Sequence, residues 1–154
     1  MSEEMILDIK DLRTSFFVDS NEVKAVDGVT FQVPKGKTLG IVGESGSGKS
    51  ISALSVLRLI DQPGEIIGGS IKYKGEDLTK VKNSRMRQIR GNEISMIFQE
   101  PMTSLNPTFT IGQQLRESYK IHEGLGKKAG TQRAIEMLEL VGIPSPEQRV
   151  DQYP

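Results

Sequence analysis

The densest chemistry in this 154-residue chain lies in eight consecutive residues, Gly43, Glu44, Ser45, Gly46, Ser47, Gly48, Lys49 and Ser50. They fit the pattern G-x-x-x-x-G-K-[ST] in full. Glycines let successive backbone N–H groups turn toward one point, which makes a cradle for an anion. A helix starting there adds partial positive charge at the same point. Lys49 brings a full charge suited to β- and γ-phosphates, and the Ser50 hydroxyl is sized to ligate Mg²⁺. The pattern therefore points to Mg-ATP or a similar triphosphate. A glycine-rich strand-to-helix turn with no ligand is the bland alternative. Against it, a Lys-Ser pair directly after Gly48 has no packing purpose.

Such a loop needs a strand before it and a helix after it. Thr38–Val42 is short and mostly apolar, as a buried central strand should be. Ile51, Leu54 and Leu57, with Val56 or Ile60, give the following segment a helical apolar face, stopped by Asp61-Gln62-Pro63-Gly64. Alternation around Leu7 and Ile9, at Val29, Phe31 and Val33, and over 69–73 predicts half-exposed strands, with a turn at Asp19-Ser20-Asn21. Residues 84–90 read as a short basic helix and 94–98 as a second buried strand. Gln99 to Asn106 is a loop. Thr110 and Gln113 have capping-box spacing at the start of a helix. A last helix is expected from about Thr131, with Ala134, Met137, Leu138 and Val141 on one face.

Composition narrows the options. The chain has 20 Lys+Arg against 20 Asp+Glu, so no long-range pull on nucleic acid is expected. With no Cys, thiolate metal sites and cysteine nucleophiles are excluded, and the single His122 leaves no histidine cluster. His122 itself reads as a surface residue. No apolar run approaches the roughly 20 residues of a membrane span. The N-terminus MSEEMILDIK has no signal-peptide core. Lys80, Lys82, Arg85, Arg87 and Arg90 form a local basic cluster, read as a solvated helix face.

The loop alone indicates a P-loop NTPase. Three further features go with it: the order of strands ahead of it, Phe16 or Phe17 at the end of an early strand, and the run Gln99-Glu100-Pro101-Met102-Thr103-Ser104-Leu105-Asn106-Pro107. Together they resemble the ATP-binding subunit of ABC transporters. The last run, with Gly40–Ser50, looks like the oligopeptide/dipeptide importer subfamily, and the resemblance extends from about Leu7 to Pro154. It implies an α/β fold, the first half of an ABC-type P-loop core with an antiparallel β element. Residues 1–154 would be the N-terminal part of one ATP-binding domain, with core and β regions to about 103 and a helical subdomain from about 104.

The resemblance also implies roles. Phe16 matches the aromatic that stacks on adenine, the alternative being plain core packing. Gln99 matches the Q-loop glutamine that contacts Mg²⁺ or the attacking water. Glu100–Pro107 would dock on membrane permease subunits. A second ATP-binding subunit and, indirectly, an extracellular solute-binding protein are implied partners, with attachment to the cytoplasmic side of the membrane. The activity implied is ATP hydrolysis coupled to import of peptides or related solutes.

The chain also departs from the family pattern. It has no run of four apolar residues followed by Asp, no Leu-Ser-Gly-Gly and no later histidine. Its end, Gln152-Tyr153-Pro154, looks like the stretch just ahead of the signature. The expectation is a portion of a longer ATPase that binds nucleotide without useful turnover. A fragment that only docks on the permease, and a different P-loop enzyme such as a small kinase, are the alternatives.

Overall fold

The computed structural model describes residues 4–98 and 104–154. The chain forms two compact units, Met1–Arg87 and Gln88–Pro154.

The first unit is built on a four-stranded antiparallel sheet. β1 (Met5–Val18) and β2 (Asn21–Pro34) form a long hairpin. Asp19 and Ser20 close it with φ of 46° and 67°. Two positive φ values give the turn whose twist matches that of paired strands. β3 (Gly64–Tyr73) lies on the other side of β1, and β4 (Glu76–Asp77) on the outside of β3, so the order is β2-β1-β3-β4. The strands exceed their readable alternation because β1 carries an irregularity after Ile9. Its register with β2 skips from Ile9 to Leu12, and with β3 from Lys10 to Arg13. Asp11 has φ 47°, and across from it Gly69 has φ 83°, where a Cβ would lie 2.3 Å from the Asp11 carbonyl oxygen. The skip reverses the side-chain phase. Ile9 and Leu12, three apart, are therefore both fully buried, together with Ile71 and Leu78.

α1 (Lys49–Val56) follows the glycine-rich loop. Its buried residues are Ser52, Ser55 and Val56, with Leu57 buried just beyond it; of the expected apolar face, Val56 and Leu57 are buried while Ile51, Leu54 and Ile60 are only half-buried. Small hydroxyl side chains let the helix approach the sheet more closely than leucines would. After β4, α2 (Asn83–Ile89) buries Met86 and Ile89 completely. Two members of the basic cluster pair with β4: Lys80 with Asp77 at 3.2 Å and Arg85 with Glu76 at 3.1 Å.

The second unit is helical: α3 (Ile111–Glu123), α4 (Lys127–Leu140) and α5 (Pro146–Arg149). The capping box is present. The Gln113 amide donates to Thr110 Oγ1 and the Thr110 amide to Gln113 Oε1. The amides of Ile111 and Gly112 donate to the carbonyls of Gln152 and Val150, so the chain's last residues satisfy the start of α3. α4 begins four residues before the expected Thr131, because its polar first turn carries no apolar period.

Two expected strands are corrected. Residues 38–42 and 95–98 have no strand pairing; Ile94 makes only an isolated bridge with Arg90. Val42 is 94% exposed and Ile97 97% exposed. A central parallel strand needs a partner on each edge and cover on both faces. No described residues supply these for either segment.

Candidate functional site

The phosphate-type loop leaves the exposed segment 38–42 and enters α1 at Gly48, the N-cap residue, with φ 84° and ψ 3°. Gly46, at φ 80°, also takes the left-handed conformation that favours glycine. Gly48 has a second constraint: a Cβ there would lie 2.4 Å from the Ala25 carbonyl oxygen on β2. The loop is thus seated directly on the sheet. Within it, the Ser47 amide donates to the Glu44 carbonyl at 3.2 Å, and the Ser52 amide to the Gly48 carbonyl at 2.8 Å.

Lys49 folds back over this loop. Its Nζ donates to the carbonyls of Gly43 and Glu44, each at 2.7 Å, and to Ser47 Oγ at 3.1 Å. All three ammonium donors are used, and all three acceptors belong to the loop. The cation is thus held by the loop's own oxygens. Glu44, Ser45 and Ser50 are exposed. Ser50 lies in the first turn of α1, and a hard cation would take its hydroxyl oxygen as one ligand. Among the described residues no cluster of three acidic or histidine side chains could hold a metal alone. The donor set here is one hydroxyl plus whatever oxygens a phosphate brings, which suits Mg²⁺ entering with its nucleotide.

Phe16 sits near the end of β1, paired with Val23 on one side and Gly64 on the other. It is half-buried, and Phe17 beside it is exposed. The ring rests on Gly64, where a Cβ would come 2.6 Å from Phe16 Cε1 and 2.5 Å from Ile60 Cγ2. Gln99 and the stretch Glu100–Thr103 lie outside the described residues. Ser104–Pro107 lie within them, and Leu105 and Phe109 line a cavity of about 440 Å³ with Gln114 and Leu115.

Sequence reading singled out none of three residues packed beside these groups: Thr14, Ser55 and Gly64. Thr14 Oγ1 and Ser55 Oγ are 2.9 Å apart and fully buried. Hydroxyls at positions 52 and 55, three apart on the helix after the loop, were the available signal. Gly64 read only as a helix stop.

The ABC transporter family matches residues 26–154. A putative peptide import ATP-binding protein of Brucella abortus is 50% identical over 149 residues, covering 97% of this chain and 45% of that protein. The dipeptide transport ATP-binding protein DppD of Haemophilus influenzae is 49% identical with the same coverage. The oligopeptide transport ATP-binding protein OppD of Bacillus subtilis is 50% identical over 150 residues, covering 97% of this chain and 42% of that one. The chain thus spans less than half the length of these relatives. Among solved structures, a dimeric ATP-binding cassette in a post-hydrolysis state bound to ADP and Pi superposes with a TM-score of 0.78 at 18% identity, over 96% of this chain and 61% of that one. A protein of Clostridium perfringens, part of an ABC transporter complex, gives 0.68 at 20% identity, over 98% and 55%. Both likenesses concern the fold. They bear out the expected first half of an ABC-type core with its antiparallel β element.

Proposed function

The chain belongs to the ABC transporter family, and from that premise we propose that it is the nucleotide-binding part of a peptide-import ATPase subunit, holding Mg-ATP on Gly43–Ser50. One observation carries this reading: the Lys49 ammonium, gathered by three loop oxygens at the N-terminus of α1. When a triphosphate enters, its oxygens are stronger acceptors for the cation than the carbonyls, and Lys49 exchanges one set for the other. The loop amides and the helix N-terminus then face the phosphate chain. Ser50 offers its hydroxyl to Mg²⁺, which when bound neutralises charge between the β- and γ-phosphates. Phe16, backed by Gly64, offers the free part of its ring to adenine. Gln99 is assigned to Mg²⁺ and the attacking water on its match to the family alone.

Peptide or a related solute is the proposed cargo because the relatives' names say peptide, dipeptide and oligopeptide. Hydrolysis belongs to the complete subunit, acting with a second copy or a paralogue, and the region around Glu100–Pro107 is assigned to the permease. The exposed Leu105 and Phe109 supply apolar anchors for that contact. Among the described residues no helix is long and apolar enough to cross a membrane. The proposed place, on permease subunits at the inner membrane face, rests on the relatives being named import and transport ATP-binding proteins.

Titration calorimetry with Mg-ATP tests the nucleotide reading. Lys49→Ala is expected to weaken binding roughly 10- to 100-fold, the loss for a charge-assisted contact of about 1.5–3 kcal/mol. Equal affinity in the variant would rule out the role given to this loop.

A further inference from the structure

We infer that the buried hydroxyl pair Thr14–Ser55 positions the phosphate loop relative to Phe16, and thereby favours a purine nucleotide over a bare polyphosphate. This rests on the nucleotide reading above.

α1 touches the sheet at two specific places. Its N-terminus is fixed where Gly48 meets the Ala25 carbonyl of β2. Its C-terminal turn is fixed where Ser55 meets Thr14 of β1. The direction of the second contact follows from proton counting. Ser55 has one hydroxyl proton and donates it to the Ile51 carbonyl at 2.7 Å. Thr14 must then be the donor to Ser55 Oγ. The result is a directional chain from β1 through Ser55 into the backbone of α1. Both side chains are fully buried, yet each is satisfied.

A valine–alanine contact would fill the same space without demanding that geometry. It would also allow the helix to slide or turn on the strand. A hydrogen-bonded pair in a low-dielectric site fixes one arrangement, because any other strands a buried hydroxyl. Thr14 is two residues before Phe16 on the same strand, and Ser55 is six residues after Lys49, within the same eight-residue helix. The pair therefore links the strand that ends in the proposed base contact to the helix that begins with the phosphate contact. Without it, α1 keeps its Gly48 anchor and its loop. What changes is the offset between loop and Phe16, which matters only to a ligand that spans both.

The test is Thr14→Val in the complete subunit, titrated with Mg-ATP and separately with Mg-tripolyphosphate. Valine keeps the shape and the strand preference and deletes only the donor. ATP affinity is expected to fall about five- to tenfold, the scale of one lost hydrogen bond, with tripolyphosphate affinity unchanged within about twofold. Thr14→Ser, which keeps the hydroxyl, should restore the wild-type ratio, and Ser55→Ala should reproduce the valine result. Equal losses for both ligands, or no loss for either in a folded variant, would overturn the positioning role while leaving nucleotide binding in place. Failure of the unmodified protein to bind either ligand would instead overturn the nucleotide reading, and this inference with it.

Discussion

Lys49 and Gly48 illustrate how much a single position can be constrained. Lys49 is defined by charge and reach, and its three loop acceptors follow from its place after Gly48. Gly48 is constrained twice, by its left-handed backbone and by the Ala25 carbonyl, so no other residue fits without moving the loop. Gly64 is different. It has no positive φ, and its need for glycine comes from the Phe16 ring and Ile60 pressed against it. Gly64→Ala should displace that ring. Mg-ATP affinity is expected to fall severalfold in calorimetry with tripolyphosphate affinity retained, and an unchanged ATP affinity would remove Phe16 from the base site. The Lys-Ser pair and the glycines were legible from spacing alone. Gly64 was not, because the Phe16 part of the demand on it comes from a strand 48 positions away in sequence.

Elements carry the next layer of specification. The Thr110–Gln113 capping box could be read because both partners lie within one helical turn. The skip in β1 could not be read, because it is imposed by neighbours on both sides, Gly69 of β3 among them. The β3–β4 corner depends on Asp77. Its Oδ1 accepts from the Thr79 amide and hydroxyl at 3.2 and 2.8 Å. Partial burial pushes this carboxyl's pKa up, but the bonds from Thr79, Lys80 and the Ile71 amide outweigh that and hold it below the ordinary 3.8. The folded chain therefore binds this proton less readily than the unfolded chain does. The charge contributes stability above pH 3.8, and that contribution vanishes as pH falls through the lower folded value. In urea denaturation, Asp77→Asn should be less stable than wild type at pH 7. The difference should close in strong acid. A gap independent of pH would assign the effect to packing instead.

The whole molecule is two units with an uneven surface. Leu39, Ile41 and Val42 are exposed in the first, and Ile97, Leu140 and Val141 in the second. Exposed apolar side chains of this kind favour association. The purified 154-residue chain should bind a hydrophobic reporter dye and self-associate as its concentration rises. Replacing Ile41 and Val42 by Lys and Glu should lower both signals, since Val42 is almost fully exposed and Ile41 half exposed. Dye binding that stays as strong in this double variant would place the sticky surface elsewhere.

The sequence by itself determined the family and the start of α3: the G-x-x-x-x-G-K-[ST] loop, the run Gln99–Pro107 and the Thr110–Gln113 capping box are local patterns, carried by residues within a few positions of one another. It also indicated strands at 38–42 and 94–98, because an apolar run is the mark of a buried strand. Tertiary structure decided whether those runs pair, since a strand's hydrogen bonds and cover come from other segments. It likewise decided that α1 buries Ser52 and Ser55 and that Ser55 hydrogen-bonds Thr14 of β1. Periodicity ranks side chains by hydrophobicity. The close approach of a helix to a sheet is set by side-chain size and by hydrogen bonds across space, which no local pattern contains.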